Sequence, residues 1–158
     1  MYKKNNLFFV LVIGLISIAN IDGGLLSIVK AGYPTGFSYE AESLQHDVGH
    51  IENYPGTPAI TTVRADIATD NPGYMIFGPY TNDQLVNKGY KAIFKLRSSG
   101  STTDPVARLE VNSTASGLLA DYDLYLNSFA TPGNYEEFAL SFIRPNDGGL
   151  MEYRVWFY

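Results

Sequence analysis

The sequence predicts an all-β fold, a jelly-roll β-sandwich, because of its alternating segments, its turns and its aromatic content. Four segments alternate between apolar and polar residues, at positions 90–98, 106–112, 135–143 and 150–158. A period of two places every second side chain on one face, as in half-buried antiparallel strands. The 12 Tyr and 9 Phe residues also favour strands. Gly, Pro, Asn and Ser separate the segments, and about seven or eight strands at this spacing are typical of a sandwich.

Each alternating segment predicts which of its side chains face the core. In chain order these are Tyr90, Ala92, Phe94 and Leu96, then Ala107, Leu109 and Val111, then Phe138, Leu140 and Phe142, and last Met151, Tyr153, Val155 and Phe157. Between the last two segments, NDGG contains the Asp-Gly pair that favours a tight turn, which predicts a β-hairpin there. Beyond the N-terminus, helical periodicity is weak except in TNDQLVN, at residues 81–87.

The N-terminus is typical of an export signal. Lys3 and Lys4 precede an uncharged run at residues 7–19. This run is shorter than the roughly 20 residues that span a bilayer, but it fits the apolar region of a signal peptide. We expect residues 1–31 to be a signal peptide with a short leader, and residues 32–158 to be a domain that is secreted or held in the cell envelope. The alternative is an uncleaved signal anchor, the one case in which we expect a membrane partner.

Charge and cysteine content limit the possible partners and the sources of stability. The formal net charge is −5, and no Lys/Arg cluster follows residue 4. Nucleic acid is therefore not an expected partner, since binding phosphates requires a basic surface. The chain has no cysteine, so no disulfide can stabilise it. Its stability must come from its core or from a bound ion, and hard cations need only oxygen ligands.

Two carboxylates lie two residues apart in FSYEAESLQHDVGH, where the alternation predicts the first strand. On a strand, Glu40 and Glu42 would share one face, about 6.6 to 7 Å apart. Because they would point the same way, they could not flank a bond from opposite sides as a catalytic pair does. They could bind a cation if another segment supplied further ligands. The residues themselves leave a solvated strand face and a cation site open.

Other candidate residues point to sugar binding more than to catalysis. Tyr54 and Tyr74 lie in polar segments predicted to be loops, and Asn71 precedes Tyr74. An aromatic ring can pack on the C–H face of a sugar while amides bond its hydroxyls. The alternative for each tyrosine is packing at the end of the sandwich, and Trp156 is interpreted as packing. The sequence has no nucleophile motif and no phosphate loop, so we expect no enzymatic activity.

The segment YEAESL resembles the opening of carbohydrate-binding modules of families six and thirty-five, which begin with a Y-E-A-E type motif. The later segments PGYMIFGPYT, GYKAIFKLR, PVARLEV, YEEFALSF and LMEYRVWF follow the order of strands in those modules. The resemblance covers residues 37–158. It implies a galactose-binding-like jelly roll that binds a polysaccharide or another glycan without catalysis.

The resemblance also implies a metal site. In that family the two glutamates of the opening motif commonly hold a structural calcium, together with backbone carbonyls and a late acidic residue. It therefore implies Glu40 and Glu42 as calcium ligands. The family usually continues beyond the W-F strand with a further strand bearing an Asp, whereas this sequence stops at Tyr158. We expect a truncated or divergent member without that last ligand.

We therefore expect non-catalytic carbohydrate binding by an exported domain, through aromatic stacking and polar contacts from Tyr54, Asn71 and Tyr74, with calcium as a structural cofactor. A structural or protein-interaction domain of the cell envelope is the alternative function. A small glycoside-active enzyme would require two carboxylates that face each other across a cleft.

Overall fold

The computed structural model describes residues 6–9, 37–53, 61–100 and 102–158. The rest of the predicted signal peptide and leader, residues 1–5 and 10–31, lies outside the described residues, as does Tyr54. The described strands are β1 (Asn6–Phe9), β2 (His50–Asn53), β3 (Thr61–Asp66), β4 (Gly73–Thr81), β5 (Gly89–Ser99), β6 (Ala107–Ser113), β7 (Gly117–Leu124), β8 (Glu136–Ile143) and β9 (Met151–Phe157). Two short 3₁₀ helices, η1 (Ala41–Ser43) and η2 (Leu126–Ser128), complete the described elements. None of the described helices is long and apolar enough to cross a membrane.

The strands form two antiparallel sheets, which confirms the predicted all-β class. One sheet has the order β2-β3-β1-β5-β8, and the other has the order β4-β9-β6-β7. The ladder between β5 and β8 runs from Gly89 opposite Ile143 to Leu96 opposite Glu136. In the second sheet β9 is central, paired with β4 on one side and β6 on the other.

The two sheets share one apolar core, as in a β-sandwich. The alternating segments supply it as predicted, since the inward residues of β5, β6 and β9 are all buried. Of the predicted β8 residues, Leu140 and Phe142 are buried and Phe138 packs partly against the core. The ring of Phe142 in one sheet meets that of Tyr153 in the other at 6.2 Å between centroids. The period of two in the sequence therefore predicts the inner face of each long strand.

The NDGG turn does not close the predicted hairpin. The strand before it, β8, belongs to the first sheet, whereas β9 after it belongs to the second, so the turn connects the sheets. Gly148 has a φ of +74°, as a tight turn requires, but Asp147 bonds to other segments. Its carboxylate accepts hydrogen bonds from the hydroxyls of Ser113 and Ser116, both at 2.5 Å, and pairs with buried Arg144 at 3.3 Å. These bonds and the donors' dipoles hold the pKa of Asp147 well below its ordinary value.

The helix suggested by the weak periodicity at residues 81–87 is also wrong. This segment lies between β4 and β5 without a helix. Gln84 is nevertheless buried, and the amide of Leu85 donates to the hydroxyl of Tyr90 at 2.7 Å. Contacts of this loop with the sandwich, rather than local helical propensity, decide its path.

Candidate functional site

The outward-facing side chains of the four-stranded sheet form an aromatic and charged surface, here called the outer face. Because β9 alternates, Glu152, Arg154 and Trp156 point away from the core that the intervening residues enter. Pairing with β4 and β6 places two rows of side chains across the sheet. One row is Tyr74, Trp156, Arg108 and Asp123, and the other is Phe77, Arg154, Glu110 and Asp121. Each row thus has aromatic rings at the β4 end and charges at the β7 end.

The aromatic part of the outer face centres on Tyr74. Its ring meets that of Trp156 edge to face, at 4.9 Å between centroids and an interplanar angle of 85°. Phe77 lies 6.0 Å away, and the Arg154 guanidinium lies over the Tyr74 ring at 5.4 Å. Edge-to-face and cation–π contacts of this kind fix ring orientation as well as adding attraction. The rings are therefore held in place before any ligand arrives.

The charged part centres on Arg154. Its guanidinium donates to the Glu152 carboxylate at 2.5 Å and lies 3.6 Å from that of Glu110. The Glu152 side chain is only 3% exposed, and it also accepts from the Asn112 amide at 3.3 Å. The hydrogen bond to Glu152 raises the pKa of Arg154 above its ordinary value. Glu152 is thus a buried charge that Arg154 and Asn112 keep partnered.

Tyr80 adds a hydroxyl to the same cluster. It follows the cis Gly78–Pro79 peptide bond, has a φ of +48° and is 42% exposed. Burial of its hydroxyl, and next its hydrogen bond with Glu152, raise the pKa of Tyr80. Glu152 therefore connects the exposed Tyr80 with Arg154 and Asn112.

The far side of the outer face also pairs its charges internally. Arg108 donates to Asp121 at 2.6 Å, and the Tyr158 hydroxyl donates to Asp123 at 2.8 Å. The two rows and Glu152 together hold two cations, Arg108 and Arg154, and four carboxylates, Glu110, Glu152, Asp121 and Asp123, for a net charge of −2. A surface with a net charge of −2 disfavours anionic ligands.

The predicted sugar-binding residues meet different outcomes. Tyr74 lies in β4, not in a loop, with its ring on the outer face. Asn71 is exposed in the segment just before β4, and Tyr54 lies outside the described residues. Trp156, interpreted from sequence as packing, is half-buried on the same face as Tyr74. The alternation of β9 could have identified it, because Trp156 is out of phase with the core residues Val155 and Phe157.

The predicted opening strand is wrong, and so is the shared face of its two carboxylates. Ala41–Ser43 is a 3₁₀ helix, with the Ser43 amide and the Leu44 amide bonded to the carbonyls of Glu40 and Ala41 at 3.0 and 3.1 Å. This turn buries Ala41 and Leu44 together, three residues apart. Burial of that apolar pair overrides the alternation that predicted a strand.

Glu40 and Glu42 consequently have different environments. Glu40 is exposed, whereas Glu42 is half-buried and accepts a hydrogen bond from the Thr61 hydroxyl through Oε1. The other oxygen of Glu42, Oε2, is buried and has no hydrogen-bond partner among the described residues. A buried carboxylate oxygen without a donor is the environment that a cation would satisfy. The described part of the chain contains no group of three or more His, Cys, Asp or Glu side chains that could hold a metal.

Comparison of the chain with protein-family models, curated proteins and solved structures gives no match.

Proposed function

We propose that this chain is an exported, non-catalytic carbohydrate-binding domain of the jelly-roll type, with its ligand on the outer face. One observation carries the proposal: Trp156 and Tyr74 lie beside a pre-formed cluster of charged hydrogen-bonding groups around Arg154. A sugar presents an apolar C–H face and a rim of hydroxyls, and these two parts match the two kinds of group.

The polar groups are fixed in advance, which favours binding of a hydroxyl-rich ligand. Arg154 is bonded to Glu152 and packed on Tyr74, so its rotamer is set without a ligand. Binding then costs little side-chain entropy. Because one face of Tyr74 is already covered by Arg154, we assign the stacking role to Trp156 and an orienting role to Tyr74.

The same cluster disfavours glycoside hydrolysis. Glu110 and Glu152 both face Arg154 from one sheet surface. A glycosidase needs a protonated carboxylic acid on one side of the scissile bond and a second carboxylate on the other. Glu110 and Glu152 instead flank one guanidinium on a single sheet surface, so they cannot act from opposite sides of a bond.

Calcium belongs to the proposal as a structural ion held by Glu42. Its partnerless Oε2 would supply one oxygen ligand, and such an ion would fix the 3₁₀ turn against β3 near Thr61. The exposed carboxylate of Glu40 would not contact this ion, and the Glu40 carbonyl is already bonded to the amide and hydroxyl of Ser43.

A glycan array with and without calcium tests this function, followed by titration of the best ligand. We expect Trp156→Ala to weaken binding about ten-fold, the equivalent of about 1.4 kcal/mol for one lost stacking contact. Tyr125→Ala is the matched control, since Tyr125 is 40% exposed and belongs to neither row of the outer face. Tyr54→Ala and Asn71→Ala test whether the predicted loops also contact the ligand. Equal affinities for wild type and Trp156→Ala would refute the site.

A protein-interaction domain of the cell envelope is the second candidate, and exposed apolar side chains favour it. The edge strands β7 and β8 carry Tyr122 and Ile143, which are 49% and 68% exposed. Edge strands with exposed apolar groups are common places for protein association. Absence of binding on the array, together with association that Ile143→Lys abolishes, would favour this candidate.

A further inference from the structure

Strand β1 occupies a central position in its sheet although it lies far from the other strands in sequence. It pairs antiparallel with β3, from Asn6 opposite Asp66 to Phe9 opposite Val63. On its other side it pairs antiparallel with β5, from Asn6 opposite Ser99 to Phe9 opposite Leu96. One four-residue segment therefore provides the hydrogen-bonding partner of two strands that do not pair with each other.

Without β1, the sheet would have a gap in its middle. Adjacent strands are about 4.8 Å apart, so β3 and β5 would stand about 9.6 Å apart, too far to bond directly. Val63, Ala65 and Leu96 lie opposite β1 residues on the two neighbouring strands, and each is 0% exposed with β1 in place. Two unpaired strand edges over a buried apolar layer form an acceptor for an extended segment.

The position of β1 in the sequence conflicts with cleavage of the predicted signal peptide. Residues 6–9 lie within the predicted signal peptide, and a cleaved signal cannot remain as a central strand. The 27 residues from 10 to 36 connect β1 to the rest of the domain. A connection of that length can reach across a small domain, because an extended chain spans up to about 3.3 Å per residue. Covalent linkage raises the local concentration of β1 at its own acceptor. A second copy of the chain at ordinary concentrations would compete poorly with it.

We propose that the gap between β3 and β5 is a strand-acceptor site, and that residues 6–9 of the same molecule fill it in the folded protein. The N-terminal apolar segment then stays with the domain as part of its sheet. This inference goes beyond sugar binding, and it holds or fails independently of the outer face. It replaces the predicted cleavage of residues 1–31, so export of the domain would have to occur with that segment retained.

Engineered disulfides test the proposal cleanly, because the chain has no cysteine of its own. Opposite residues in antiparallel strands have Cα atoms about 4.5 to 5.5 Å apart, within the range that a disulfide spans. We expect Asn6→Cys with Ser99→Cys, in the full chain purified under reducing conditions and then oxidised, to form an intramolecular bond in the monomer. Asn6→Cys with Lys91→Cys is the control, since Lys91 lies on the same strand about 26 Å further along.

The products distinguish the outcomes. An intramolecular bond in the Ser99 pair, absent from the Lys91 pair, supports the proposal. Disulfide-linked dimers from the Ser99 pair would overturn it, because a second copy would then supply the strand. Equal bonding in both pairs, or none in either, would also overturn it.

The rate of backbone amide hydrogen exchange provides a second measurement. Phe8→Pro removes one amide from the β1 ladder while leaving β3 and β5 unchanged in sequence. We expect hydrogen exchange to accelerate in peptides that cover 61–66 and 96–99, and to stay slow in those that cover β6 and β9. Unchanged exchange in all four regions would refute a role for β1 in this sheet.

Discussion

Arg154 is the side chain on which the charges of the outer face depend, so replacing it should reveal an uncompensated buried carboxylate. Arg154→Met keeps a long apolar stem over Tyr74 but removes the ion-pair partner of Glu152 and one of the two ion-pair partners of Glu110. Glu152→Met removes the buried charge instead, and the double variant removes both partners. Comparing these three variants with the wild type isolates the coupling between the two residues.

The expected loss of unfolding free energy follows from the burial of the Glu152–Arg154 ion pair. Removing one partner of a fully buried pair costs about 3 to 5 kcal/mol. The Arg154 side chain is 23% exposed and Asn112 still donates to Glu152, so we expect Arg154→Met to cost less. Our expectation is roughly 2 to 3 kcal/mol, or about 4 to 12 °C in Tm. The double variant should be more stable than the sum of the single effects predicts, by about 2 kcal/mol.

Urea unfolding measures these free energies, followed by circular dichroism and by fluorescence of Trp156, the single tryptophan. Circular dichroism is needed because Trp156 adjoins the altered side chains and its signal can change without unfolding. Additive effects of the two single substitutions would refute the reasoning, since they would mean that Glu152 does not depend on Arg154.

Three further predictions concern other parts of the chain. Hydrogen bonding lowers the folded-state pKa of Asp147 from its ordinary value of 3.8, so its contribution to stability is present above about pH 4 and lost as pH falls. The urea midpoints of wild type and Asp147→Asn should therefore differ at pH 6 and converge toward pH 2; a constant difference would contradict this origin. Gly49 and Gly117 both have a φ of +80°, but a Cβ at Gly49 would lie 2.4 Å from a backbone carbonyl oxygen, whereas Gly117 has open space. Urea unfolding should show a loss of unfolding free energy of about 1 kcal/mol for Gly117→Ala and of about 3 kcal/mol or more for Gly49→Ala. Equal losses would show that the close contact at Gly49 is relieved. Calcium should raise the Tm of the wild type and of Glu40→Gln but not that of Glu42→Gln. At a calcium concentration of 100 times Kd, the added stability is about 2.7 kcal/mol. An unchanged wild-type Tm would leave Glu42 without a metal role.

The strands were predictable because burial repeats along them. In β5, Ala92, Phe94 and Leu96 are buried at every second position, so local alternation defines both the strand and its face. The partners of a strand depend on distant segments. NDGG favours a turn, but local turn preference does not specify that β8 and β9 enter different sheets. The bonds of Asp147 to Ser113 and Ser116 hold the turn beside the second sheet.

The candidate site was only partly predictable, because the partners of its strands depend on distant segments. Tyr74 was identified by residue type, but its contact with Trp156 follows from the register of β4 and β9, which sequence alone does not provide. Glu40 and Glu42 were assigned to a strand because apolar and polar residues alternate around them. The spacing of Ala41 and Leu44 fits a helical turn as well as a strand, and burial of both side chains in the core favours the 3₁₀ turn.

The buried position of Asn112 has a consequence for producing the protein. Asn112-Ser113-Thr114 is an N-glycosylation sequon, yet in the folded chain Asn112 is 8% exposed and bonded to Glu152. An oligosaccharide attached during synthesis in a eukaryotic secretory pathway would remove the Asn112 hydrogen bond to Glu152 and would not fit the enclosed space around that amide. Hosts without N-glycosylation therefore suit this chain, and Asn112→Gln is a poor remedy elsewhere because its longer amide must fit the same enclosed space.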